Sequence, residues 1–290
     1  FIFNEVKARF DEAANLSWGE EMEKKGIKVR YSFPGLKVHA KAALVHKKIE
    51  GDTKLYSYLS TGNFHEQTVK SYIDYGLFTC DERICNELNR FFNFLENTKL
   101  PNIPFKHLLV GQFNLNDALK EMIEFEKQNA LQNKPAKIIL KLNNLQDKEM
   151  IELLYDAAQA GVKIKLLVRG ICSLVSGKKD LSENIEGLSI VDRYLEHSRL
   201  YYFYHDGEEN IFLSSADWME RNLHFRIEIA FPVYDPILKK QIMDIVNFQL
   251  LDNVKSRSID YNRINEYRIT ESKRKVQSQL ETYKYYKELQ

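Results

Sequence analysis

The sequence has 290 residues, is 44% hydrophobic and 29% charged, and carries a formal net charge of +1. A chain of this size buries a substantial core, and its length favours two domains of ordinary size. The absence of a long apolar run excludes a membrane span, the three cysteines (Cys80, Cys85, Cys172) exclude a disulfide scaffold, and the near-zero net charge excludes a global field for polyanions, so any polyanion site must be a local cluster of cations. Reduced thiols without metal-type spacing fit a cytoplasmic protein.

The first residues, "FIFNEVKARF", read as the middle of a strand, not as a secretory leader. They open the segment "FIFNEVKARFDEAANLSWGEEMEKKGIKVRYSF": strand, helix, glycine stop at Gly26, alternating strand. This is a βαβ unit, which places its two strands parallel. Next comes "VHAKAALVHKKIEGDTKLYSYLSTGN", two alternating runs around a Gly-Asp turn, the signature of a β-hairpin. Pro101 and Pro104 then interrupt the pattern in "NTKLPNIPFKHLLVGQFNLND", and a boundary is expected there, with domains over residues 1–106 and 107–290.

The second half repeats the first. "AKIILKLNNLQDKEMIELLYDAAQAGVKIKLLVRG" is again strand, helix, glycine stop (Gly161) and strand, and "EHSRLYYFYHDGEENIFLSSAD" is again a hairpin, turning at Asp-Gly. The fold expected is α/β: two domains, each a mixed sheet flanked by helices, related by pseudo-twofold symmetry. The tail "NEYRITESKRKVQSQLETYKYYKELQ" has the pattern of a charged helix, packed or solvated.

Residues two apart on a strand share a face, so His39 and Lys41 project together, as do His197 and Arg199. Hairpins centred on Gly51 and Gly207 set His39 opposite Asn63 and His197 opposite Asp217. A lone histidine or lysine on a strand is ordinarily structural; the duplicated context is what argues for function. His46, His65, His107, His205 and His224 lack it and read as structural or exposed. Two imidazoles, two cations and Ser/Thr-rich segments suit phosphoryl transfer, in which a neutral imidazole attacks phosphorus while cations and hydroxyls hold the equatorial oxygens. One histidine then serves as nucleophile and the other as acid or base, with Asp217 able to orient His197.

The paired His-x-Lys/Arg elements resemble the phospholipase D superfamily, although the aspartate usual seven positions after each histidine is replaced by His46 and Tyr204. The strings "KARFDEAANLSWGEEMEKKGI", "GLKVHAKAALV", "STGNFHEQTVKSYIDYGLFT", "AGVKIKLLVRGICSL" and "LSSADWMERNLHFRIEIAFPV" resemble the C-terminal half of the bacterial polyphosphate kinase family. The resemblance implies two phospholipase D-like domains and reversible transfer of the terminal phosphate of ATP to inorganic polyphosphate through a phosphohistidine. It implies that His39 carries the phosphate, that His197 is the second essential histidine, and that Tyr72 and Arg169 contact ATP. Arg9 falls in the magnesium-phosphate environment; having no lone pair to give, it would clamp phosphate beside magnesium brought by the nucleotide and would not ligate the metal. Lys41, Asn63, Arg199, Ser215 and Asp217 complete the expected substrate-binding set, with no confident direct metal ligand.

ATP or ADP and polyphosphate are the implied partners and nucleic acid is not one; the full-length protein is expected to be a homo-oligomer, cytoplasmic, with peripheral association at the inner membrane face. N-terminal and head domains precede this region in the family, so the chain alone is expected to be a weak or inactive kinase. The alternatives are a phospholipase D-type phosphodiesterase, which needs no ATP, and a non-catalytic polyanion-binding module.

Overall fold

A computed structural model describes residues 1–6, 12–31, 35–97, 104–262 and 264–289. Arg9 and Pro101 lie outside the described residues.

Both βαβ units form. Strands Ile2–Asn4 and Val29–Tyr31 pair in parallel across helix Glu12–Lys24. Strands Lys137–Leu142 and Lys163–Val168 do the same across helix Lys148–Gln159, whose N-terminus is capped by Asp147, accepting from the Met150 amide at 3.0 Å. Gly26 and Gly161 follow these helices with φ of 78° and 111°, the left-handed conformation that lets the chain leave a helix without a Cβ penalty.

In the first half, strands Ala42–Ile49, Asp52–Ser60 and Gly76–Thr79 form an antiparallel sheet. In the second half an eight-stranded mixed sheet runs, edge to edge, through Ser256–Ile259, Ile185–Ile190, Lys163–Val168, Lys137–Leu142, Arg199–Phe203, Asn210–Ser214, Ile229–Pro232 and Leu109–Val110. Helices Leu115–Leu131 and Lys148–Gln159 cover one face of that sheet, burying Leu119, Ile123, Met150 and Leu154. The other face shares a core with the first half, where Ile84, Leu88 and Phe91 of helix Glu82–Asn97 meet Leu200, Tyr202, Phe231 and Val246. The buried Glu87 carboxylate accepts from the main-chain amides of Lys106, His107 and Leu108 at 2.8, 3.0 and 2.7 Å, pinning the start of the second half to that helix.

Two short parallel pairs stitch the halves together. Lys37–Val38 pairs with Arg226–Ile227, and Tyr72–Ile73 pairs with Leu195–Glu196. Each half thus lends a strand to the other, and the two exchanges are equivalent under the internal repeat.

The hairpins form with a register one residue from that expected. Ile49 faces Asp52, so the first turn is Glu50-Gly51, not one centred on Gly51. Both turn residues have positive φ (53° and 97°), as the two-residue hairpin turn that matches strand twist requires. Extended back, this register sets His39 opposite Gly62 rather than Asn63. In the second hairpin Arg199 faces Ser214, which sets His197 opposite Ala216 rather than Asp217. The displacement is the same in both halves, so their equivalence survives it.

Candidate active site

The strand exchange decides what surrounds each histidine. The His39 amide donates to the Ile227 carbonyl at 2.8 Å, and the His197 amide to that of Ile73 at 3.2 Å. Each imidazole thereby comes against the carboxylate of the opposite half. His39 Nδ1 lies 3.0 and 2.9 Å from the two Glu228 oxygens, and His197 Nδ1 lies 2.9 Å from both Asp74 oxygens. A carboxylate only accepts, so the proton sits on Nδ1 of each ring and the lone pair on Nε2.

The supports behind the carboxylates repeat as well. Thr61 Oγ1 donates to Asp74 at 2.7 Å and accepts from the Tyr75 amide at 3.0 Å. Ser215 Oγ donates to Glu228 at 2.5 Å and accepts from the Ile229 amide at 3.1 Å. Asn222 Nδ2 adds a third donor to Glu228, at 2.6 Å. Gly62 must lack a side chain, because a Cβ there would stand 2.2 Å from Asp74 Oδ2.

The cations break the symmetry. Lys41 Nζ donates to the His39 carbonyl at 2.6 Å, and burial pushes its pKa down to about 7, with Glu228 opposing the shift. Arg199 Nε and Nη2 hold Asp217 at 3.2 and 3.3 Å, while Nη1 reaches the His197 carbonyl at 3.0 Å and donates to His197 Nε2 at 3.1 Å. The lone pair of His197 is therefore engaged. Among the described residues no hydrogen bond reaches His39 Nε2.

Burial lowers the pKa of both histidines, each carboxylate opposing it, and Lys41 and Arg199 lower both. Each imidazole senses the cation of the other half, as groups around one site must. Burial works to raise Asp74 and Glu228, but hydrogen bonding from His197 and the proximity of His39, respectively, lead the interactions that hold both below the ordinary carboxylate range. The rings are thus neutral and the carboxylates ionised at neutral pH.

The remaining expected residues sort into two groups. The Tyr72 ring lies 5.0 Å from that of His197. Arg169 Nε bonds the Asn143 side-chain oxygen, and Asn143 Nδ2 donates to the His197 carbonyl at 3.1 Å, so Tyr72 and Arg169 flank the second histidine. Ser215 and Asp217 are buried behind the site. The expectation that Asp217 orients His197 is corrected: its oxygens are taken by Arg199, by the main-chain amides of Asn143 and Asn144, and by Asn144 Nδ2, while Asp74 orients the ring. Asn63 is exposed, with its carbonyl accepting from the His65 amide at 2.9 Å.

Of the other histidines, His46 and His65 are exposed, His107 bonds the Tyr234 hydroxyl, His205 stacks on Phe125, and His224 pairs with Asp147. Among the described residues no three His, Cys, Asp or Glu side chains are grouped to hold a metal ion. The carboxylates nearest the rings are committed to His39, His197 and Arg199, so these residues do not form a metal cage.

Asp74, Glu228 and Asn143 are the site residues that sequence reasoning missed. A signal for the first two was present: Asp74 follows Asn63 by eleven positions and Glu228 follows Asp217 by eleven, in the matching strings "YID" and "RIE".

Comparison with known proteins adds the family. Residues 108–279 match the model of the polyphosphate kinase C-terminal domain 2, and residues 1–101 that of the polyphosphate kinase C-terminal domain 1. The chain is 46% identical over 286 residues to a polyphosphate kinase of Escherichia coli K12, and 47% identical over 286 residues to that of Salmonella typhimurium. In both cases 99% of this chain is covered but only 41% of the relative, so the chain spans well under half of their length. Among solved structures, the polyphosphate kinase of Porphyromonas gingivalis superposes with a TM-score of 0.90 at 44% identity, over 99% of this chain and 44% of that one. A phosphatidylserine synthase of Haemophilus influenzae, at 9% identity and a TM-score of 0.56 over 98% of this chain and 78% of that one, shares the fold.

Proposed function

This chain belongs to the polyphosphate kinase family, and from that premise we propose that its two-histidine site passes a phosphoryl group between ATP and inorganic polyphosphate by way of His39. The observation that carries the assignment is the difference between the two Nε2 atoms: that of His197 accepts from Arg199, whereas that of His39 is left for a substrate among the described residues.

Burial keeps His39 neutral, and Glu228 holds the ring proton on Nδ1. Nε2 attacks the terminal phosphorus of ATP; the Nε2–P bond forms as the bond from phosphorus to the bridging oxygen breaks, and ADP leaves with the electron pair. The phosphorylated ring keeps its Nδ1 proton and is cationic, and the Glu228 carboxylate compensates that charge. A terminal polyphosphate oxygen then attacks the same phosphorus and His39 departs with its lone pair restored. ATP and a chain of n phosphates have become ADP and a chain of n + 1, and the reverse sequence uses the same groups.

Lys41 and Arg199 face the equatorial oxygens, and His197, its proton fixed by Asp74, serves as the acid or base once Arg199 turns from it to phosphate. Tyr72 and Arg169 take the nucleotide side, Arg9 enters on the family resemblance as a phosphate contact, and Asn63 as an exposed amide able to donate to phosphate oxygens. Ser215 and Asp217 act by holding Glu228 and Arg199. Magnesium enters on the nucleotide phosphates, neutralising their charge, and no step is assigned to a protein-held ion. No helix among the described residues is long and apolar enough to cross a membrane; a cytoplasmic location, peripheral membrane association and assembly into homo-oligomers accompany the family reading.

The test is exposure of the chain to γ-labelled ATP and magnesium, followed by acid and base treatment. Acid-labile, base-stable label that is absent from His39→Ala and present in His197→Ala supports the reading. Label surviving in His39→Ala, or none in a full-length protein that carries this chain, opposes it.

A further inference from the structure

The two histidines differ in what stands behind them. Val38 and Ala40 flank His39 and are apolar; Glu196 and Ser198 flank His197 and are both buried polar groups. Between these two neighbours sits Lys141, from the adjacent strand and itself only 3% exposed. Its ammonium lies 3.1 Å from Glu196 Oε2 and donates to Ser198 Oγ at 2.8 Å and to the Ser198 carbonyl at 3.2 Å. Burial lowers the pKa of Lys141 and the Glu196 carboxylate opposes the shift.

Glu196 receives two further donors. Gln249 Nε2 reaches Oε2 at 2.8 Å, and Gln279 Nε2 reaches Oε1 at 2.8 Å. Gln279 belongs to the last helix, Ser278–Glu288, and also grips the chain just before the histidine: its Nε2 donates to the Tyr194 carbonyl at 2.8 Å and its Oε1 accepts from the Tyr194 amide at 3.1 Å. The helix is itself anchored, since Asp252 accepts from the Ser278 amide at 2.7 Å and the rings of Phe248 and Tyr285 meet edge to face at 5.9 Å.

We propose that Lys141, Glu196 and Gln279 are positioning residues that fix the backbone on both sides of His197, so that the C-terminal helix braces one histidine of the pair and not the other. A buried ion pair whose every oxygen is hydrogen-bonded specifies one geometry, which is its best-attested use, while contributing little net stability. The His39 backbone is held by the Ile227 carbonyl, by Lys41 Nζ and, through the Val38 amide, by Glu5, with no contact from the C-terminal helix among the described residues; the helix-backed clamp suits a histidine that orients and exchanges a proton without changing covalent partner. The division of labour rests on the functional reading above, but the clamp does not.

The experiment follows both imidazoles through a pH titration by NMR in the complete chain and in the variants Gln279→Ala and Glu196→Gln. In Gln279→Ala, which removes no charge, loosening the strand admits water to His197, relieving the burial that depresses its pKa, so its midpoint is expected to rise toward the ordinary histidine value by several tenths of a pH unit, whereas in Glu196→Gln the lost carboxylate charge works against that rise. The midpoint of His39 is expected to stay in place. Gln279→Ala leaves the Lys141–Glu196 pair intact, so it reports even where Glu196→Gln does not fold. A drop in melting temperature with His197 unmoved, or equal movement of both histidines, overturns the proposal. In a phosphoryl-transfer assay of a full-length protein that carries this chain, Gln279→Ala is expected to lower kcat several-fold with KM for ATP unchanged. Absence of transfer in a full-length protein that carries this chain would count against the functional reading and leave the titration result standing.

Discussion

Replacing Glu228 by glutamine isolates the feature on which the chemistry of His39 turns. The Glu228 carboxylate has 0% exposure and meets only donors: His39 Nδ1, Ser215 Oγ and Asn222 Nδ2. Glutamine offers one acceptor oxygen in place of two, and its amide nitrogen must face a donor or find an acceptor. The imidazole supplies one by moving its proton from Nδ1 to Nε2, which removes the lone pair that attacks phosphorus. Even without that switch, a charge-assisted bond of ~1.5–3 kcal/mol is lost, which slows attack by about 10- to 100-fold at ~1.4 kcal/mol per decade. The same change removes the negative charge that supports the protonated form of Lys41, lowering its pKa further and weakening its hold on phosphate oxygens. Nitrogen NMR of labelled histidine reads the tautomer directly, and the rate of label transfer from ATP to His39 reads the consequence. A Glu228→Gln protein with the proton still on Nδ1 and an unaltered rate of labelling would refute the reasoning.

Arg199→Lys supplies a point charge where a fork spans Asp217 and His197, and affinity for pyrophosphate, measured by calorimetry, should fall about tenfold, with ~1–3 kcal/mol lost in urea denaturation because buried Asp217 keeps too few donors. Asp74→Asn withdraws the charge that raises the pKa of His197, so its NMR titration midpoint should fall while that of His39 holds. Lys41 has a folded pKa of about 7 against ~10.4 unfolded, so between those values the unfolded chain binds the extra proton and stability rises with pH; Lys41→Met should lack that rise, and equal urea-denaturation slopes for both proteins from pH 7 to 10 would contradict it.

Much of the fold was legible because its signals are local. Helix stops at Gly26 and Gly161, alternation in the flanking strands, and a glycine-containing turn at Gly51, though not its exact residues, each depend on neighbours in sequence. The repeat supplied the pairing of His39 with Lys41 and of His197 with Arg199 for the same reason. Asp74 and Glu228 were hidden because they reach their histidines, His197 and His39, across the strand exchange, from 123 and 189 positions away respectively. Hairpin reasoning looks only within a half and so offered Asp217, whose carboxylate turned out to hold Arg199. In the first hairpin the one-residue register shift has a similarly small origin, in the preference of a tight turn for two residues of positive φ; in the second, residues 204–209 connect the strands through a 3-10 turn at His205–Gly207.

The central claim is that the imidazoles of both halves border one anion site, with His39 Nε2 open toward it. A crystal structure of the chain with vanadate or pyrophosphate bound measures this most directly. One anion is expected against His39 Nε2, with Lys41 and Arg199 on its oxygens and His197 alongside. An anion that avoids His39, or imidazoles that bind separate anions with no shared cation, would contradict it.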